Sequence, residues 1–478
     1  MSQLAILLAV VSLAISAVAQ TSDDIARIVG TIMTNNGAPS FLETLTDTIG
    51  GRLTGSPENR AAADLILKTL REAGFDNAHF EEYKFASAWQ RGPISGEIVG
   101  PIHRRLFIGS YGWTPGTAGR IEAPLLDLGA PTKAELPGPQ EKYRGAAILV
   151  QIATTPDPAA ATSYIVMRAA LTQKLARAGA AAMLVVSDKP DRMVYTSAFG
   201  FYPHAPLPAL SIANEDAQLL RRLLAKQPVR LALEVQNSFG PAPATERNVV
   251  ADLPGTESGE VVLLGAHFDS WDPAQGANDN GSGVAQVMEA ARTLKRLGIK
   301  PKHTIRFVFF SGEEEDCLGS RAYVGQHRAE LGSLRAVLIT DDGAQAPLGF
   351  QIHAREDMQA SVTTLLQPLA PLEANRIYLD IDFESDYEPF ILAGIPSLSL
   401  HVEPADYDVR HHTIADTYEK VDPRTLSLDA AVMAVAAYSI ANAEQGPGRR
   451  LSPDEVKALV KKAGLEPQVE LDEKAAQY

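Results

Sequence analysis

The sequence predicts an α/β protein: a mixed, mostly parallel β-sheet sandwiched by helices, with a smaller β-rich unit inserted into it. Three observations predict this. Between residues 248 and 400, short apolar runs alternate with stretches of helical period, the pattern of strands joined by helical crossovers. Most of those runs empty into His, Asp or Glu, and the C-terminal ends of strands are where open α/β sheets build their sites. From about residue 120 to 237 the texture changes to short strand-like runs broken by Gly and Pro, which reads as a separate module.

Length and composition agree. The 478 residues correspond to about three units of ~150 residues. Hydrophobic residues at 45% and charged residues at 21% describe a soluble globular chain and exclude disordered, collagen-like and multi-span membrane classes. A balance of 43 basic against 58 acidic side chains, net −15, excludes nucleic acid as a partner in the absence of a basic cluster. Cys317 is the single cysteine, so no intrachain disulfide and no cysteine metal cluster can form.

Taken in order, residues 1–19 carry no charge, run apolar from Leu4 and end in Ala17-Val18-Ala19. That is a secretory signal peptide with an A-x-A cleavage site, too short to span a bilayer. It predicts an exported, periplasmic or extracellular protein without stable membrane insertion. Helices follow over 22–35 and 61–73, the second opened by Ser56 and Pro57, closed by Gly74, and apolar at Ala62, Leu65, Ile66, Leu70 and Ala73. In the inserted unit, 146–150 and 181–186 read as strands and 168–178 as a helix stopped by Gly179. Core strands are predicted over 248–253, 261–266, 304–310, 336–340 and 397–400, with a helix over 283–297 whose Val284, Val287, Met288, Ala291 and Leu294 share one face. Gly446-Pro447-Gly448 separates a tail, in which Ser452-Pro453-Asp454-Glu455 is a capping box opening one more helix.

The strand ends carry the chemistry. The run 261–266 leads into His267-Phe268-Asp269, the run 304–310 into Ser311-Gly312-Glu313-Glu314, and the run 336–340 into Asp341-Asp342-Gly343. A Gly- and Asn-rich loop holds Asp279 just before a helix, and His411-His412 precedes Asp416-Thr417. Singly, each has an ordinary reading, as a helix cap, a carboxylate at a helix start or a solvated loop. Jointly, two histidines and three carboxylates suit zinc, which accepts imidazole nitrogen and carboxylate oxygen. A carboxylate bridging two metals ~3.5–4 Å apart would make a two-metal hydrolase, with a further carboxylate to move the proton. The residues by themselves leave open Asp341 against Asp342 and His411 against His412.

The order and context of these segments resemble the zinc exopeptidases that include bacterial aminopeptidases and glutamate carboxypeptidase, and most of all the carboxypeptidase Q group. Gly265-Ala266-His267-Phe268-Asp269-Ser270-Trp271-Asp272 followed by Gly276-Ala277 and Asp279 carries the likeness, as does Gly312-Glu313-Glu314 with Gly319-Ser320. Weaker matches are Gly51-Arg52-Leu53-Thr54-Gly55-Ser56, Ser385-Asp386 and Gly394-Ile395-Pro396. The resemblance implies two Zn2+ ions: His267 and Asp341 on one, Glu314 and His412 on the other, and Asp279 as the bridge. It implies that Asp269 orients His267 and that Glu313 is the general base. Asp341 is preferred because the family's Asp-x-Gly continues into Pro and Gly, here Pro347 and Gly349, and His412 because the family ligand stands four residues before the Asp of Asp-Thr. Asp386, Arg410 and His401 are candidates for substrate contacts.

The resemblance further implies a protease-associated-like insert, a homodimer, and a division into a catalytic segment at 20–115, the insert at 116–240, a second catalytic segment at 241–445 and a tail at 446–478. The sequence departs from the carboxypeptidase Q pattern at Ile414 and Ala415, which replace a His and a Gly beside the last ligand, so substrate preference is not inherited. The expected activity is hydrolysis of terminal peptide bonds of dipeptides or short peptides, at either end; an acidic rim would favour a free amino terminus and a basic one a carboxylate. Two other classes share the architecture: a non-catalytic receptor, which should have lost ligands or the base, and a single-zinc glutaminyl cyclase-like acyltransferase.

Overall fold

The computed structural model describes residues 22–35, 37–152, 158–199, 204–257, 259–404 and 407–475; the predicted signal peptide lies outside them. The main sheet has eight strands, labelled here in chain order as β1 (His79–Phe85), β2 (Ala244–Leu253), β3 (Val261–His267), β4 (Thr304–Phe310), β5 (Leu334–Ile339), β6 (Pro347–Gln351), β7 (Arg376–Tyr378) and β8 (Ser397–Val402). They lie in the order β1-β2-β4-β3-β5-β8-β6-β7. The four central strands β4, β3, β5 and β8 are mutually parallel, while β1, β2 and the β6–β8 pairing are antiparallel. Central strands need both faces apolar, and the alternation is clean. Val262, Leu264, Phe307, Phe309 and Leu338 face one core, and Leu263, Val308, Phe310, Val337 and Ile339 face the other.

Helices fill both faces. On the first pack α1 (Pro57–Glu72), α2 (Gly283–Arg296) and α4 (Pro423–Asn442). Ser56 caps α1 by accepting the Asn59 N–H, and the predicted stripe Val284, Val287, Met288, Ala291 and Leu294 is buried against the sheet. Helix α4 is long and apolar enough to cross a membrane, but 83% of its apolar window is buried inside the protein, so it serves as the core helix behind the sheet. On the second face lie α3 (Leu318–Gln326) and the tail helix α5 (Pro453–Ala463), with Tyr323, Val456 and Val460 in that core. Both halves of the predicted capping box form at Ser452 and Glu455.

A second eight-stranded sheet, with its own cores on two faces, occupies the middle of the chain. Its strands run from Ile94–Gly100 to Arg230–Val235. Three of them, Ile94–Gly100, Arg104–Arg105 and Ile108–Ser110, lie upstream of residue 116: the first pairs with Arg230–Val235 and with the second, and the third pairs with Ala209–Ile212. The sheet is not purely a strand texture: three parallel strands, Ala147–Val150, Ala182–Val186 and Ala209–Ile212, are joined through the helix Pro158–Arg177 and the loop after Val186, and a second helix, Asn214–Leu224, follows.

Candidate metal centre and active-site cavity

Parallel register brings the chemistry to one edge. His267 at the end of β3 pairs with Phe310 at the end of β4, and Gly265 with Ile339 at the end of β5. His267, Glu313 and Asp341 therefore leave the sheet side by side. His267 Nε2 lies 2.9 Å from Asp341 Oδ1 and 3.8 Å from Glu313 Oε2. Asp342 points further out, into the cavity wall. His412 enters from the segment after β8 in a left-handed conformation, φ 59°, and its Nε2 lies 2.8 Å from Glu314 Oε2. Glu313 and Glu314 thus serve opposite halves of one site. Asp279, in the turn Ala277–Ser282, stands between them: its Oδ1 is 3.5 Å from His267 Nε2 and its Oδ2 is 3.3 Å from His412 Nε2. His411 stacks on His412 at 3.7 Å, and its Nε2 lies 3.5 Å from Asp279 Oδ2.

The supports are backbone-directed. Asp269 Oδ1 accepts the Glu313 N–H at 3.3 Å, and its Oδ2 accepts the Glu314 N–H at 3.2 Å and the Thr54 hydroxyl at 3.1 Å. The same carboxylate stands 3.5 Å from His267 Nδ1, whose nearest acceptor is the Asp269 carbonyl at 3.1 Å. Asp416 holds the Asp279 turn by accepting the N–H groups of Asn278 at 2.7 Å and Asp279 at 3.1 Å. Arg52, wholly buried, spreads its guanidinium over the carbonyls of Phe268, Gly50, Gln275 and Gly276 at 2.5–3.0 Å. Burial lowers its pKa to about 10. From the second sheet unit, the Tyr195 hydroxyl reaches His412 Nδ1 at 3.2 Å and the Thr196 N–H donates to the His412 carbonyl at 2.9 Å.

The electrostatics call for a cation. Burial pushes Glu313 well above the usual carboxylate range and Glu314 to about 7. Burial opposes the charge on His267 and His412, but the carboxylates around them prevail and hold both well up. Asp279, facing two such imidazoles, is held well down despite its burial. Glu314 Oε1 is buried with no hydrogen-bond partner. Nitrogen and oxygen donors converging around an orphaned carboxylate oxygen fit a divalent metal of the zinc type.

These groups floor a cavity of about 450 Å³. Its lining includes Asp316, Asp342, Asp382, Glu384, Glu388 and Asp408 beyond the histidine clusters, and no Lys or Arg among the described residues. Arg321 neutralises Asp316 and Glu388 at 3.1 and 2.9 Å. Although water reaches Asp342 and Glu384, withdrawal from bulk solvent between the cavity walls, followed by the neighbouring carboxylates, pushes them to about 8 and about 7.

The candidate substrate contacts fall elsewhere. Asp386 is 0% exposed beneath the floor, its two oxygens buried without a hydrogen-bond partner among the described residues, and burial pushes it to about 7. His401 packs against Tyr378 with the rings tilted and their centroids 4.1 Å apart, and neither it nor Arg410 lines the cavity. Conversely, Tyr195, Tyr387, Tyr407 and the tail residues Gln468 and Leu471 line it without having been singled out in the sequence. They sit far from the motifs along the chain, and no local pattern marks them.

Chemically, this donor set is that of a metal-dependent hydrolase. Comparison with known proteins narrows the class. The profile of Peptidase family M28 matches residues 248–437, which hold both histidine clusters. Carboxypeptidase Q of Xenopus laevis is 30% identical over 407 residues, 84% of this chain and 84% of its own. A Peptidase M28 precursor from Shewanella amazonensis SB2B superposes with a TM-score of 0.79 at 26% identity, covering 90% of this chain and 99% of that one. A zinc aminopeptidase from Bacillus subtilis shares the fold with a TM-score of 0.66 at 21% identity, covering 87% and 97%. The chain belongs to Peptidase family M28 and is a metallopeptidase.

Proposed function

We propose that the protein is an exported di-zinc exopeptidase that removes the N-terminal residue from dipeptides and short peptides. The observation that carries the reading is Asp279, whose two oxygens divide between His267 and His412. In this reading His267 and Asp341 would hold one zinc and Glu314 and His412 the other, with Asp279 placed to serve both. When bound, zinc polarises a scissile carbonyl and makes a neighbouring water acidic. Glu313, beside the His267–Asp341 pair, takes the proton of the attacking water and returns it to the leaving amine. Asp269 keeps Glu313, Glu314 and His267 in register by gripping the backbone of the turn that carries both glutamates.

The amino-end polarity follows from the cavity. Carboxylates without a lysine or arginine in the wall attract an α-ammonium and repel a free carboxylate. The second sheet, read as a protease-associated-like insert, walls one side through Tyr195, and a cavity closed on one side suits chain ends rather than chain interiors. A non-catalytic receptor is disfavoured because Glu313 and the five proposed ligands are all in place.

The test is hydrolysis of dipeptides with free, N-acetylated or C-amidated ends by zinc-loaded protein, beside Glu313→Ala. Cleavage that requires the free amine, tolerates the amide and disappears in the variant supports the proposal. Cleavage that requires the free carboxylate reverses the polarity, and no cleavage by protein holding two zinc ions removes the reading.

A further inference from the structure

The C-terminal helix forms a wall of the catalytic cavity. Helix α5 ends at Gly464, whose left-handed φ of 74° is the conformation a C-terminal glycine adopts to turn the chain sharply. Leu465, 2% exposed, anchors the turn in the same core as Tyr323 and Phe390, and a further helix α6 (Glu466–Ala475) follows. Residues three apart share a helix face, and on α6 that face carries Gln468 and Leu471, both lining the cavity. Gln468 Nε2 donates to the Phe383 carbonyl at 2.8 Å, tying the helix to the acidic loop that forms the adjacent wall. Val469, pointing away, packs against the core. The helix also abuts the helix Pro158–Arg177 of the second sheet unit. The tail is thus seated between the two sheet units, at the mouth of the site.

Resting on the exopeptidase reading above, we infer that α6 sets the length of peptide the site accepts, with Leu471 and Gln468 as specificity-determining residues. The cavity of about 450 Å³ lies toward the small end of the ~300–1,000 Å³ typical of ligand sites, and α6 is the part of its wall that a short truncation removes without cutting a sheet or a histidine cluster. A two-residue peptide fits beside Leu471. Each further residue runs into the helix.

The experiment measures equilibrium binding, by calorimetry, of Leu-Ala to Leu-Ala-Ala-Ala-Ala to zinc-loaded protein carrying Glu313→Gln, which separates binding from turnover. With the tail intact, Kd rises at least tenfold from the two-residue to the five-residue peptide. Stopping the chain after Leu465 shrinks that difference below threefold, and Leu471→Trp in the full chain weakens the two-residue peptide at least tenfold. Equal length profiles with and without α6 overturn the inference, as does the absence of binding by every peptide. If the truncated chain does not fold, Leu471→Trp decides: unchanged dipeptide affinity is then the refutation. Failure of the peptidase reading shows separately, as peptides that bind with the expected length profile but yield no product with Glu313 present.

Discussion

Asp269→Asn is the sharpest probe of how the site is held. Asp269 offers separate oxygens to two consecutive backbone N–H groups, those of Glu313 and Glu314, and a further contact to Thr54. Asparagine keeps the shape but has one oxygen, so whichever way its amide turns, an NH2 faces one of those N–H donors. One charge-assisted bond is lost outright and the other is reduced to a neutral one. With hydrogen bonds to charged groups contributing roughly 1.5–3 kcal/mol and neutral ones about 1, the loss comes to about 2–5 kcal/mol. Part of it appears as lowered stability. The rest displaces the turn that carries Glu313 and Glu314, and substitutions of this kind behind a metal site typically cost 10–100-fold in activity or metal affinity. The assay is urea unfolding together with dipeptide hydrolysis at saturating zinc, wild type against variant. A kcat/KM within twofold of wild type and an unchanged urea midpoint would refute the claim that Asp269 organises the centre.

Other substitutions test the supports and the pH response. Arg52→Met removes the side-chain donor from four backbone carbonyls, of which, among the described residues, Gly276 alone keeps another, the Gly281 N–H at 3.0 Å; with each of the three remaining buried orphans costing roughly 1–3 kcal/mol, a loss of at least ~3 kcal/mol is expected in thermal or urea unfolding, and Arg52→Lys, whose compact ammonium cannot span the spread carbonyls as the planar guanidinium does, should rescue little of it. Burial raises Glu246 to about 7 despite Arg60 at 3.2 Å. The folded state therefore holds a proton that the unfolded chain releases between pH ~4.5 and 7, and stability falls by up to ~3 kcal/mol as pH rises through that window. Glu246→Gln should flatten this dependence in urea titrations at pH 5 and 8. His353 works in the opposite sense: wholly buried, with both ring nitrogens unpartnered, it is pushed down to about 4. Its contribution is complete above pH ~6.5 and is lost as pH falls toward 4, again by up to ~3 kcal/mol. His353→Asn, which tolerates the positive φ of 48° at that position, should remove the acid-side loss.

The legible parts of this molecule are those whose physics is local. Central strands such as Thr304–Phe310 are apolar on both faces, so they stand out as unbroken runs, and the stripe of α2 repeats at helical spacing. The site was legible for a related reason: His267, Glu313, Glu314 and Asp341 each follow directly on such a run, and parallel register aligns the run ends without further information. Edge strands were not legible. His79–Phe85 carries Glu81, Glu82 and Lys84 and acquires its order only from pairing with Ala244–Leu253, while Arg376–Tyr378 has three residues and one partner strand. The beginning of the second sheet was obscured because its strands pair with segments about a hundred residues away. Tyr195, Tyr407, Gln468 and Leu471 reach the cavity only through tertiary packing. His401 and Arg410 had histidine and arginine chemistry in their favour, yet neither lines the cavity.

The central claim is a two-metal centre bridged by Asp279, and zinc stoichiometry tests it most directly. Metal-free protein is titrated with zinc and bound metal counted per chain, for wild type and for Asp279→Ala. The account predicts saturation at two zinc ions in the wild type and at no more than one in the variant, because removing the bridge takes a ligand from both halves. Saturation of the wild type at a single ion, or two ions retained without Asp279, would contradict it.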